Sequence, residues 1–354
     1  MPKLFDPIAI RGVEAKNRIW VSPMCQYSAT DGVVGDWHLV HLGSLATGGA
    51  GLIVAEATGV VPEGRISIGC PGLYTDSQVI AWRRIVDFVH TQGTKISIQL
   101  AHAGRKAGTA LPWSDHRMAT SEEGGWQAVA PSAIAFEGYP EPRALSADEI
   151  HALVKAWGAA AKNAVKAGFD AVEIHAAHGY LLHEFYSPIS NTRDDEYGGS
   201  YENRTRFLKE VVTEVRRAIP ESMPLMVRIS ASDWVDGGWT IEESVALANE
   251  LQTLGVDLLD VSSGGNVSAA PIVVGPGYQV HFAQAVKSGS TIVTSAVGMI
   301  TDAHQANEIV ESGKSDIVMM AREFLRDPRW PLHAARELGV DIAWPLQLER
   351  GKIN

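Results

Sequence analysis

Thiol chemistry is nearly missing from this chain, whose only cysteines are Cys25 and Cys70. Two cysteines exclude a disulfide framework and a four-thiolate iron–sulfur cluster within one chain, and they point to a reducing cytoplasm. Long apolar runs are missing too. No stretch approaches the roughly 20 consecutive apolar residues of a membrane span. The opening MPKLFDPIAIRG lacks the basic-then-apolar layout of a signal peptide. Positive charge is also in short supply: 30 Lys and Arg stand against 41 Asp and Glu, for a net charge of −11. The basic residues are scattered, so no nucleic-acid groove is expected. No G-x-G-x-x-G follows a strand, and G-x-x-x-x-G-K-[ST], H-E-x-x-H, G-x-S-x-G and C-x-x-C are absent. These absences argue against a dedicated dinucleotide domain, a P-loop, a zinc protease and a serine hydrolase.

What is present is a rhythm. Eight short, β-branched, nearly continuous apolar runs occur at 18–24, 51–57, 95–100, 169–175, 224–230, 257–263, 291–296 and 316–321. Such runs fit strands buried on both faces. Amphipathic helical patterns lie between them. Ser146-x-x-Glu149 and Thr240-x-x-Glu243 read as capping boxes, Thr301 and Asp302 as a third start, and Gly93, Gly168, Gly255 and Gly313 as stops. Eight β-then-α units without a linker, within 354 residues, predict a single α/β domain over 1–354, a (β/α)₈ TIM barrel. One connection is too long for a turn. Residues 101–143, rich in Gly, Pro and Trp, follow the third strand and are expected to form a lid or pocket wall.

Barrel chemistry sits at the C-terminal ends of the strands. Those ends offer Ser22-Pro23-Met24-Cys25 with Tyr27, then Glu56-Ala57-Thr58, then Gln99 and His102. The fourth strand ends in His175, followed by His178 and Tyr180, and the fifth carries Arg228. The last three lead into Ser262-Ser263-Gly264-Gly265, Ala296-Val297-Gly298 and Ala321-Arg322. Two imidazoles and a phenol can donate hydrogen bonds to one oxygen and deliver a proton beside it, which suits a carbonyl that gains negative charge. Arg228, inside an apolar run, needs an anionic or electron-rich partner. Gly298 lets backbone approach closely and Arg322 can grip a phosphate, unless it pairs with Glu323 instead. The layout fits a phosphorylated, planar, redox-active cofactor. A non-redox lyase or isomerase acting on a phosphorylated small molecule stays open, although no Schiff-base Lys stands at a strand end. His175, His178 and His183 lie close in sequence, but their spacing matches no zinc pattern, so no metal is expected.

Ordered along the chain, several segments resemble the old yellow enzyme family of FMN-dependent ene-reductases, in its bacterial xenobiotic-reductase branch. They are F-x-P-I-x-I-R-x-x-x-x-x-N-R-I at 5–19, S-P-M-C-Q-Y at 22–27, I-Q-L-x-H-A-G-R-K at 98–106 and the block 173–207. S-S-G-G, P-G-Y-Q, V-G-M-I-T and A-R-E-F-L-R-D-P-R-W-P complete the set. The resemblance implies non-covalent FMN, with NADPH or NADH as reductant and an activated alkene as substrate. It assigns Ser22, Pro23, Met24 and Cys25 to the flavin, Ala57 and Gln99 to its ring, Arg228 to its electron-rich edge, and Ala321 and Arg322 to its phosphate. It makes His175 and His178 the carbonyl-binding pair, Tyr180 the proton donor and Tyr27 a substrate contact. Arg350, in the tail LQLERGKIN, would reach a neighbouring subunit's site, which implies a homodimer or homotetramer. Two positions depart from the commoner pattern: Ala321-Arg322 stands for Gly-Arg, and His178 for Asn. The iron–sulfur cysteines of the longer dienoyl-CoA reductase relatives are missing.

Overall fold

The computed structural model describes residues 2–352. Its strands are β1 (Ile8–Ile10), β2 (Val13–Ala15), β3 (Ile19–Val21), β4 (Leu52–Gly59), β5 (Lys95–Ala101) and β6 (Val129–Ala130). β7 (Arg143–Ala144), β8 (Ala171–Ala176), β9 (Leu225–Ser230), β10 (Leu258–Ser262), β11 (Val293–Ala296) and β12 (Ile317–Met320) follow. Eight of them close a parallel barrel in the order β3-β4-β5-β8-β9-β10-β11-β12, with β12 paired back to β3. This is the (β/α)₈ TIM barrel read from the alternation. Among the described residues, no helix is long and apolar enough to cross a membrane.

The boundaries shift for local reasons. The first apolar run yields a strand only over Ile19–Val21. Ser22 still donates its N–H to the Met320 carbonyl at 2.9 Å, but Pro23 has no N–H with which to continue a ladder. Ser146 and Thr240 close capping boxes with Glu149 and Glu243. Asp302, not Thr301, caps the helix Ala303–Glu311 by accepting from Gln305 N–H at 2.8 Å. Gly168 ends the helix Ala147–Ala167 at φ 91°, where an L side chain would be strained.

Two features lay outside the βα rhythm. β1 and β2 form an antiparallel hairpin whose Ile10 and Ala15 pack with Trp20, Leu52, Met226 and Leu258, closing the N-terminal end of the barrel. β4 carries a bulge, because Ala55 pairs with Ile98 and Ala57 with Gln99, so Glu56 has no opposite residue. A bulge re-aims side chains beside a site. The 101–143 insertion stays at the rim. β6 and β7 pair with each other, the Trp126 indole donates to the Glu63 carbonyl at 2.8 Å, and Trp113 packs edge-on against Tyr27 with ring centroids 6.4 Å apart.

Candidate active site at the C-terminal rim

The β8 end builds the first group. His178 adopts φ 60° and Gly179 φ 68°. A Cβ on Gly179 would lie 2.3 Å from the Gly265 carbonyl, and one on Gly265 would lie 2.6 Å from the His178 backbone, so glycine is required on both facing loops. Lys106 staples the two loops through the carbonyls of His178 and of Gly265, the latter at 2.9 Å. The His175 ring stands nearly perpendicular to those of His178 and Tyr180, at 5.2 and 5.1 Å between centroids. His175 Nδ1 accepts from Ala177 N–H at 3.3 Å, which leaves the proton of the neutral ring on Nε2. Burial, helped by Arg228, holds both imidazoles well below their usual range. Burial also raises the Tyr180 phenol well above its own. All three are therefore neutral proton carriers at pH 7.

Beneath them, inward residues of neighbouring strands form a polar floor. Arg228 pairs with Asp260 at 3.0 Å and donates to the Ser22 hydroxyl at 3.0 Å. Gln99 donates to Glu173 Oε1 at 2.8 Å. Ala57 is buried beside Gln99 through their register pairing.

The β3 end supplies the opposite wall. Pro23, Met24, Cys25 and Tyr27 are half-buried. Tyr27 takes φ 53°. Donor atoms of Cys25, Glu56 and Cys70 lie within 4.8 Å of one another. The bulged Glu56 accepts from Gln26 N–H at 3.0 Å and faces His38 at 3.3 Å. A hydrogen bond to Cys70, then burial, pushes the Cys25 thiol well up, and burial raises the Glu56 carboxyl despite His38. A protonated thiol is a poor nucleophile.

The β11 and β12 ends enclose a cavity of about 260 Å³ whose lining includes Arg228, Gln279, Gly298, Ala321 and Arg322. Gly298 sits at φ 125°, and a Cβ there would lie 3.0 Å from the Gln279 amide. Glu323 pairs with Arg326. Arg322 makes no ion pair among the described residues, so its charge is uncommitted. An uncommitted Arg beside a close-approach glycine, continuous with the Arg228 floor, fits a phosphate joined to an electron-rich ring. A larger groove of about 740 Å³, lined by charged residues such as Lys155, Glu202 and Lys209, lies on the outer helix ring. It has none of this chemistry.

Some expected residues do not join the group. His102 packs on Trp157 with ring centroids 6.3 Å apart and accepts from Gly104 N–H at 3.1 Å. Burial lowers its pKa to about 3, and it braces the insertion. His183 faces Asp233 at 3.0 Å and accepts from Gly179 N–H at 2.8 Å, so it positions the turn. Arg350 is exposed. It follows a segment, 344–347, that lies against Lys16, Thr47 and Gly93 at the N-terminal end of the barrel. Within one chain it does not reach His175, His178 or Tyr180. Ile353 and Asn354 of the tail lie outside the described residues. Sequence reasoning missed Lys106 and Glu184. Lys106 also lies 4.7 Å from the Tyr180 ring centroid, and Glu184 accepts from Arg105 N–H at 2.8 Å. The adjacent Arg105-Lys106 pair just past a buried strand was the one signal that could have found them.

A barrel mouth that offers charge stabilisation and neutral proton donors, but no activated nucleophile, suits a cofactor that carries the electrons itself. The class it defines is the flavin-dependent oxidoreductases. Comparison with known proteins makes this particular. Residues 3–340 match the NADH:flavin oxidoreductase / NADH oxidase family, and the chain belongs to it. It is 48% identical over 351 residues to an NADPH dehydrogenase of Geobacillus thermodenitrificans, covering 98% of each chain. Morphinone reductase in complex with tetrahydroNAD shares 30% identity at a TM-score of 0.80, over 98% of this chain and 93% of that one. The old yellow enzyme homologue from Zymomonas mobilis shares 31% at a TM-score of 0.78, over 98% and 96%.

Proposed function

We propose that the protein is an FMN-dependent ene-reductase. FMN, when bound, would supply the hydride chemistry that links NADPH or NADH to the β-carbon of an α,β-unsaturated carbonyl or nitro compound. Arg322 and Gly298 hold its phosphate, with Ala321 beside them. Arg228 and Gln99 would meet its ring, and Ser22, Pro23, Met24, Cys25 and Ala57 would wall it. Among the described residues, none is arranged for a covalent link. His175 and His178 donate to the substrate's activating oxygen, where negative charge develops; losing one such donor costs about 10²–10³ in rate. Tyr180 gives its proton to the α-carbon, and Tyr27 closes the substrate side. The 101–143 insertion serves as a wall or lid through Trp113.

The single observation that carries this reading is the uncommitted Arg322 on a cavity continuous with Arg228. A sugar-phosphate lyase or isomerase would also use a phosphate grip, but it gives the Arg228–Gln99 floor no task. Denaturing the purified protein should release one FMN per chain, identified by chromatography. Release of FAD, or a colourless preparation without flavin, would refute the proposal. Arg322→Ala should weaken FMN binding by about 10- to 100-fold, the weight of a charge-assisted hydrogen bond.

A further inference from the structure

The floor of the barrel mouth holds one acid more than its base needs. Arg228 on β9 pairs with Asp260 on β10 at 3.0 Å, and Ser295 on β11 donates to the other oxygen of Asp260 at 2.7 Å. Glu173 on β8 is fully buried and is the register partner of Gln99 on β5. Its Oε1 accepts from the Gln99 amide at 2.8 Å, while its Oε2 has no partner among the described residues. The charged groups that face it are Arg228 and Asp260, and β5 contributes only the neutral Gln99. A carboxylate with an unmatched oxygen at zero exposure is strongly disfavoured.

We propose that Glu173 is a positioning residue that orients the Gln99 amide and exchanges a proton as the charge on the bound flavin changes. The inference rests on the reading that Gln99 and Arg228 hold a flavin. With one Nε2 hydrogen committed to Glu173, Gln99 must present its Oε1 and its other N–H to the ligand. Burial, then Asp260, raises the Glu173 carboxyl to about 8, against the pull of Arg228. Neutral Glu173 leaves Arg228 and Asp260 matched one to one; ionised Glu173 would give the floor a net negative charge. Two-electron reduction of a flavin near neutral pH takes up one proton and leaves one negative charge. That charge raises the proton affinity of a nearby acid. Once Glu173 has lost its proton in the oxidised holoenzyme, reduction therefore draws in a second proton.

The test is the midpoint potential of the purified holoenzyme, measured by spectroelectrochemistry from neutral pH upward. The expected slope is one proton per two electrons below about pH 8 and two protons per two electrons above it. Glu173→Gln keeps an acceptor for Gln99 but has no proton to exchange, so it should retain FMN and show the single slope throughout. Glu173→Leu removes both functions and should raise the FMN dissociation constant at every pH. Glu184 is also moved by burial to about 8, so Glu184→Gln serves as a control that keeps the doubled slope. A single slope in the unaltered enzyme, or a doubled slope that survives Glu173→Gln, overturns the inference while leaving the FMN reading intact. Protein that carries no FMN overturns both.

Discussion

His178 Nε2 stands 2.8 Å from the hydroxyl of Ser262, the last residue of β10. The other acceptor within reach of Ser262 is Gln279 Oε1, at 3.4 Å, which already takes a 2.6 Å hydrogen bond from Ser263. The Ser262 proton therefore goes to His178 Nε2, and the imidazole keeps its own proton on Nδ1 as a donor. Ser262→Ala should release this tautomer and weaken binding of enolate-like phenols about fivefold, the worth of one neutral hydrogen bond. His178→Ala should weaken it far more while FMN content stays intact. The measurement is titration of the long-wavelength charge-transfer band that phenols produce with oxidised flavin. Unchanged phenol affinity in both His175→Ala and His178→Ala would remove the role.

The same phenol titration carries a pH prediction. Burial and Arg228 lower both imidazoles, so they stay neutral as pH falls through the ordinary histidine range of about 6.5. Affinity should show no inflection there; a loss of binding centred on that range would mean that one imidazole titrates normally.

Tyr180→Phe should slow reoxidation of the flavin by alkene and leave reduction by NADPH nearly untouched. General acid catalysis is typically worth about 10²–10⁴. Stopped-flow measurement of the two half-reactions decides the matter, since equal losses in both would assign Tyr180 a structural role.

Cys25 is expected to tune the flavin by packing and a weak S–H contact. Its thiol is raised by Cys70 and burial, so native protein should react slowly with iodoacetamide at neutral pH and both cysteines should label on unfolding. Cys25→Ser should shift the flavin midpoint potential and remain active. An inactive Cys25→Ser enzyme that still binds FMN would contradict this.

Arg350 is exposed, follows a segment at the N-terminal end of the barrel, and is proposed to serve a partner's site. Arg350→Ala should raise the KM for the alkene without lowering thermal stability, and light scattering should find at least a dimer. A monomer with unaltered KM would make the tail a surface ornament.

The amino-acid order by itself determined the barrel, because period, strand length and cap chemistry are local properties. Ser146, Thr240 and Gly168 act where their types demand. It also marked out His175, His178, Tyr180, Arg228 and Arg322, since a polar group at the end of a buried apolar strand is costly unless a partner or ligand meets it. The hairpin of Ile8–Ile10 and Val13–Ala15 was not legible, because three-residue strands carry too little pattern and only the open barrel end gives them a surface to bury. Tertiary structure alone decided where the other histidines go: His102 packs onto Trp157 and His183 faces Asp233. It likewise brought Lys106 to the His178 turn and Glu173 to Gln99. Those pairings join residues 72 and 74 positions apart. Closing the sheet sets such neighbours, and no local propensity encodes them.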